Sequence, residues 1–288
     1  MSSADLTAIS VPAWRDWLQL ARISNTPTVV SNSVAGAALV VASPDAGTVA
    51  VVAVAMALFY TAGMVLNDVM DIEIDRRQRP ERPLPSGRIS AGAALFVAVA
   101  LFAVGEILLG VVHWEPAVVG IALIALIVLY DAWHKGNVIS PVLMGGCRAL
   151  VYVIAGFAVA DSLPWELWAG AGMLLLYIVG LTQVAKAEAT GRSSAWPTAA
   201  VLAPVVFWAF LLPPAGFIVL AVFAGWVLWA LRLVRSKRIG PAVGAMIAGV
   251  SLFDAVAVAS ADGSTVALAV CLAAFAVTIA LQTKIAGT

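Results

Sequence analysis

The stretch 67–75, N-D-V-M-D-I-E-I-D, sets three aspartates at the end of an apolar run, in a chain that is 62% hydrophobic and only 11% charged. Carboxylates held against membrane-spanning segments are costly and mark function. On a helix, Asp68, Asp71 and Asp75 fall at i, i+3 and i+7 and share one face, with Asn67 on its flank. Three like charges at that spacing repel unless a cation sits among them. An all-oxygen donor set favours a hard divalent ion, and Mg²⁺ is usually held by one or two carboxylates together with substrate phosphates. Glu73 points off this face and reads as a solvated neighbour.

These residues need elements to position them, and composition says of which kind. The chain has 288 residues and a mean hydropathy of +1.02, whereas a soluble domain carries about 25% charged residues. It is expected to be an integral membrane protein. The N-terminal M-S-S-A-D-L-T-A-I-S lacks the basic start of a secretory signal, and the apolar run from Trp17 is too long for a signal core, so the first helix is expected to remain. Cys147 and Cys271 lie inside apolar segments without ligand-like or disulfide-like spacing and read as small core residues. Nucleic acid is not an expected partner.

Runs long enough to cross the hydrocarbon fall at 17–42, 48–68, 90–112, 116–132, 139–160, 165–187, 196–212, 214–232, 242–260 and 264–284. With the N-terminus cytoplasmic, one set of loops and helix ends carries Arg15, Arg76, Arg77, Arg79, Arg82, Arg88, Lys135, Arg192, Arg232, Arg235, Lys237, Arg238 and Lys284. The opposite loops hold Asp45, His113, Glu115, Asp161, Glu166 and Asp262, with no lysine or arginine. That asymmetry is the positive-inside pattern and supports ten segments; nine, with the last peripheral, is the alternative. The predicted fold is an all-α, polytopic bundle of nine to ten transmembrane helices around a central cavity.

A few charges belong to no loop. Arg22 and Arg148 lie several residues inside segments that start on the cytoplasmic side, and Lys186 and Glu188 end the sixth segment, on the side of the aspartates. A buried arginine is least costly when it faces an anion. Glu106 and Asp254 read as structural, hydrogen-bonded to a neighbouring helix. The chain also divides into two similar halves of four segments, about 15–133 and 134–233, followed by helices in 241–284. Asn25, Pro27 and Gly36 open the first half as Asn137, Pro141, Gly145 and Gly146 open the second, a parallel repeat of the kind membrane bundles use.

N-D-x-x-D-x-x-x-D at Asn67 to Asp75, followed by R-P-x-R-P-L-P-S-G at Arg79 to Gly87, resembles the first aspartate motif of the UbiA superfamily of intramembrane prenyltransferases. Arg22 and Asn25 in the first segment, and Tyr130 with His134 or Lys135 after the fourth, match as well, so the resemblance covers nearly the whole chain. It implies a single membrane domain over 1–288, about nine helices around a central cavity, Mg²⁺-dependent binding of an isoprenyl diphosphate, and transfer of the prenyl group to a small-molecule or lipid acceptor. The family's second motif, D-x-x-D-x-x-x-D at the end of the sixth helix, is altered: Gln183, Lys186 and Thr190 stand at its positions and Glu188 falls between them. An EboC-like branch has this kind of alteration, and M-G-G-C-R-A-L-V-Y from Met144 to Tyr152 leans the same way.

Carried onto these residues, the resemblance makes Asp68, Asp71 and Asp75 the metal ligands, with Lys186 and Arg148 beside them in the catalytic group. Asn67 adds a neutral ligand or an orienting hydrogen bond. Arg22, Asn25, Tyr130, Gln183 and Lys135 complete the substrate-binding set, Tyr130 positioning leaving group or acceptor. A lysine can serve as a point-charge phosphate binder in place of one Mg²⁺. The setting is a bacterial plasma membrane, with the site open to the cytoplasm. Two other classes compete: a transporter, whose charges would sit near the midplane in broken helices, and a catalytically altered protein that only binds prenyl lipids.

Overall fold

The computed structural model describes residues 14–190 and 195–284, and within 185–190 only the Lys186 side chain is described. Glu188, Thr190 and Arg192 therefore lie outside the described side chains. All ten apolar segments are helical, and no strand occurs among the described residues.

The first segment is not one helix. α1 (Trp14–Leu20) stops before Arg22, which adopts the left-handed conformation at φ 44, ψ 47; a 3-10 turn (Ile23–Asn25) follows, and α2 (Pro27–Ala38) begins on Pro27. Proline lacks the N–H that a continuous helix would need there and its ring would meet the carbonyl one turn back, so the chain restarts with Pro27 at the N-terminus of a new helix. Arg22, expected several residues deep in a span, instead sits at this break.

α3 (Ala46–Met70) starts on Asp45, whose Oδ2 accepts the Thr48 amide at 2.7 Å. It ends at the acidic motif, where Asp71 leaves helical geometry (φ −93, ψ 0), and α4 (Ile72–Gln78) follows. Then come α5 (Ala91–Val112), α6 (Trp114–Trp133), α7 (Ser140–Phe157), α8 (Trp165–Thr190), α9 (Trp196–Ala209), α10 (Phe217–Arg235), α11 (Ile239–Ser260) and α12 (Thr265–Gln282). Eight of these helices are long and apolar enough to cross a membrane, while α2 and α9, with 12 and 14 residues, are shorter.

Lipid tails are as apolar as leucine, so close packing rather than the hydrophobic effect must hold such helices together. Gly36 shows how: a Cβ there would lie 2.7 Å from the Tyr152 Cα, so the missing side chain lets α2 touch the backbone of α7. Gly145 does the same for α7 on α8, where a Cβ would meet the Leu175 carbonyl at 2.8 Å. Of the eight helices long enough to span, α11 is the most enclosed, with Leu252 to Val258 buried without interruption. α12 packs on α11, α2 and the 3-10 turn, where Gln282 Nε2 donates to Asn25 Oδ1 at 3.1 Å. The last segment is thus part of the bundle, not peripheral to it.

Large apolar side chains cover the outside, among them Phe96, Val99 and Ile107 on α5, Ile121 on α6, and Ile218 and Val222 on α10. Exposed tryptophans mark the helix ends, Trp133 and Trp196 near one rim, Trp114 and Trp165 near the other, as expected of rings at the headgroup level. An apolar girdle between aromatic belts is the surface of an integral, multi-pass membrane protein.

Candidate functional site

A cavity of about 540 Å³ lies between α2, α3, α6, α7, α8 and α11. Its apolar wall includes Val29, Met56, Phe59, Ile127, Val151 and Val250, while Arg22, Arg79, Arg82, Arg148 and Lys186 bring five cations to it. Asp131 is the one carboxylate among its described lining residues. A space with a greasy wall and a strongly positive end suits an amphiphile with an anionic head. Arg22, Asn25, Tyr130, Arg148 and Lys186 were all expected at the site, and all five line it.

The acidic motif sits at the rim, and its geometry departs from one helix face. Asp68 and Asp75 are buried and converge on Arg82, whose Nη1 lies 3.5 Å from Asp68 Oδ1 and 2.7 Å from Asp75 Oδ2; Arg22 Nη2 also reaches Asp68 Oδ1 at 3.1 Å. Asp71, at the break between α3 and α4, pairs instead with Lys135 at 2.5 Å and His134 at 3.6 Å. Burial pushes the Asp71 pKa up, but the hydrogen bonds and charge of His134 and Lys135 outweigh it and leave the carboxyl below its usual range. The hydrogen bond to Asp71 in turn raises the His134 pKa. Lys135 thus serves Asp71 and, like Gln183, is not among the cavity-lining residues. Glu73 is exposed and pairs with Arg76, as its off-face position implied.

Whether these residues fit Mg²⁺ can be read from the carboxylates. Among the described residues, no three His, Cys, Asp or Glu side chains converge as a ready ion site. Of the three expected ligands, Asp68 and Asp75 share one cation position, held here by Arg82, while Asp71 pairs with Lys135 and His134. Two carboxylates at one position still fit Mg²⁺, which takes one or two from protein and its remaining oxygens from water and phosphate.

Asn67 is engaged through its Nδ2, which donates to Asp131 Oδ1 at 3.0 Å. Arg148 is held from behind: its Nη1 donates to Asn32 Oδ1 at 2.8 Å and its guanidinium lies 5.7 Å from the Tyr60 ring centre. Asn32 Nδ2 in turn donates to both oxygens of fully buried Asp254, which also accepts from Tyr152 at 2.7 Å and Ser31 at 2.5 Å. Asp254 therefore joins α11 to α2 and α7, as its structural reading required. Glu106 does not repay the same reading, since its Oε2 is buried against α6 with no hydrogen-bond partner. Lys186 Nζ donates to Ser140 Oγ at 2.7 Å and to the Asn137 carbonyl at 3.3 Å, and Tyr130 stacks on His134 with centroids 5.1 Å apart. Sequence reasoning left Asp131 out; its place one residue after Tyr130, at the end of an apolar helix, was the available signal.

A polytopic helical bundle that encloses a cation-rich, apolar-walled cavity beside an aspartate rim defines an intramembrane lipid-handling protein. The profile of the UbiA prenyltransferase family matches residues 29–241, and the chain belongs to that family. Among characterised relatives, it is 34% identical over 138 residues to the digeranylgeranylglyceryl phosphate synthase of Methanopyrus kandleri, covering 46% of this chain and 51% of that one. The enzyme of the same name from Sulfolobus acidocaldarius is 44% identical over 79 residues, 26% and 27% of the two chains. The matches thus span about a quarter to a half of these relatives. A UbiA homologue from Aeropyrum pernix K1 shares the fold with a TM-score of 0.68 at 17% identity, over 80% of this chain and 96% of that one. A structure described as giving insights into digeranylgeranylglyceryl phosphate synthase in membranes scores 0.65 at 19% identity, over 86% and 98%.

Proposed function

We propose that this protein is an intramembrane prenyltransferase that moves an isoprenyl group from an isoprenyl diphosphate to a lipid acceptor. The observation that carries this reading is the pairing, in one cavity, of an apolar wall with Arg22, Arg79, Arg82, Arg148 and Lys186. The prenyl chain lies along the wall and the diphosphate meets the cations. An allylic C–O bond breaks more readily when the charge gathering on the departing oxygen is stabilised, and fixed cations in a low-dielectric site do this without reorganising. Asp68 and Asp75 would hold Mg²⁺, which would neutralise part of the diphosphate charge, and Asp71 would tie the α6–α7 loop to the rim. Lys186 supplies point charge on the opposite side, where the family motif has carboxylates. Arg148, braced by Asn32, completes the clamp, and the apolar wall keeps water from the developing cation.

The site opens toward the cytoplasm in this reading, because the arginine-rich end follows the positive-inside rule. The relatives' name points to a glyceryl phosphate lipid as acceptor. A glyceryl phosphate bearing one geranylgeranyl ether and one free hydroxyl is therefore the probe of choice. Purified protein with geranylgeranyl diphosphate, Mg²⁺ and this probe should release pyrophosphate and form the diether. Binding of both lipids without pyrophosphate release would instead support a lipid-binding protein.

A further inference from the structure

Prenyl transfer to a hydroxyl releases a proton, and the cavity is poor in groups that could take it. Among the described residues of its lining, Arg22, Arg79, Arg82, Arg148 and Lys186 are cations, and Asp131 is the single carboxylate. Asp131 is 5% exposed and sits in the last turn of α6, beside Tyr130. Its Oδ1 is fixed by Asn67 at 3.0 Å, and its Oδ2, closed to solvent, has no hydrogen-bond partner. A buried carboxylate oxygen without a donor is costly, and its native neighbours leave that cost in place. The missing donor is what an incoming O–H would provide.

We infer that Asp131 is the group that receives the acceptor's hydroxyl, with Asn67 holding it in position and Oδ2 as the receiving atom. The inference rests on the prenyltransferase reading and names its acceptor class: an alcohol that donates a hydrogen bond. In the step, the C1–O bond to diphosphate breaks and its electron pair stays on the departing oxygen. An oxygen lone pair of the acceptor forms the new C1–O bond, and the hydroxyl proton passes to Asp131 Oδ2, from which it leaves to water. Asn67, the first residue of the acidic motif, is thereby a positioning residue for the acceptor and not a part of the diphosphate clamp.

The test compares wild type with Asp131→Asn, which preserves shape and the Oδ1 acceptor but replaces the unpartnered oxygen with an amide donor. With the mono-geranylgeranyl glyceryl phosphate probe, Asp131→Asn should lower kcat/KM for the acceptor about a hundredfold and leave the affinity for geranylgeranyl diphosphate unchanged. Unchanged acceptor kinetics overturn the inference. A second measurement, by equilibrium binding, needs no turnover and no variant: wild type should bind the alcohol about tenfold more tightly than the analogue with that hydroxyl replaced by hydrogen, and equal binding overturns the inference. Retained diphosphate binding reports that the variant is folded. If wild type discriminates the two ligands yet never releases pyrophosphate, the transferase reading fails while the hydroxyl contact stands.

Discussion

The ends of α3 and α8 face the same cavity rim and handle charge in opposite ways. At α3, Asp68, Asp71 and Asp75 are each matched by protein cations: Arg22 and Arg82 on the first, Lys135 and His134 on the second, Arg82 on the third. At α8, Lys186 reaches across to α7, onto Ser140 and the Asn137 carbonyl, while its side chain borders the cavity. The aspartates of α3 are paired with cations of the chain itself, whereas α8 brings a cation to the cavity wall.

The sharpest way to break this contrast is Asp68→Asn, which removes the carboxylate shared by Arg22 and Arg82. We expect prenyl transfer to fall about a thousandfold, measured as pyrophosphate release. Asp71→Asn should cost about tenfold or less, since Asp71 serves Lys135 and His134; equal losses in the two variants would restore a single three-aspartate site. Arg148→Gln should lower diphosphate affinity by about tenfold and also lower the melting temperature, because Asn32 and Asp254 lose their cationic partner.

The smallest effect concerns pH. His134 gains its raised pKa from Asp71, so the pair's stabilisation is complete below the ordinary imidazole range and disappears as pH rises through the raised value. Melting curves of wild type and His134→Gln should differ most at about pH 6 and converge by about pH 9. A constant gap would remove the protonated pair from the account.

Much of this was legible in the residues. Ten apolar runs gave ten helical segments, and the polarity of their loops matched helix ends that carry arginine on one rim only. The helix breaks were harder. Pro27 announces a new helix start, yet nothing local marks the left-handed Arg22 before it, whose ion-pair partner Asp68 lies 46 residues away. A similar limit applies to the acidic motif, where a 3.6-residue period places three aspartates on one face only if the helix continues through Asp71. The departure at Asp71, whose carboxylate pairs with His134 and Lys135 of the α6–α7 loop, does not show in that period. Asp131 was hidden because an aspartate beside an interfacial tyrosine looks like an ordinary helix end until Asn67 is found bonded to it.

The central claim is that Lys186 grips the diphosphate while the aspartate rim handles the metal. Equilibrium binding of geranylgeranyl diphosphate to wild type and Lys186→Ala, each titrated with Mg²⁺, tests it directly. The account predicts an affinity about tenfold weaker in the variant, with the Mg²⁺ midpoint unchanged. Equal affinities, or a loss repaired by additional Mg²⁺, would contradict it.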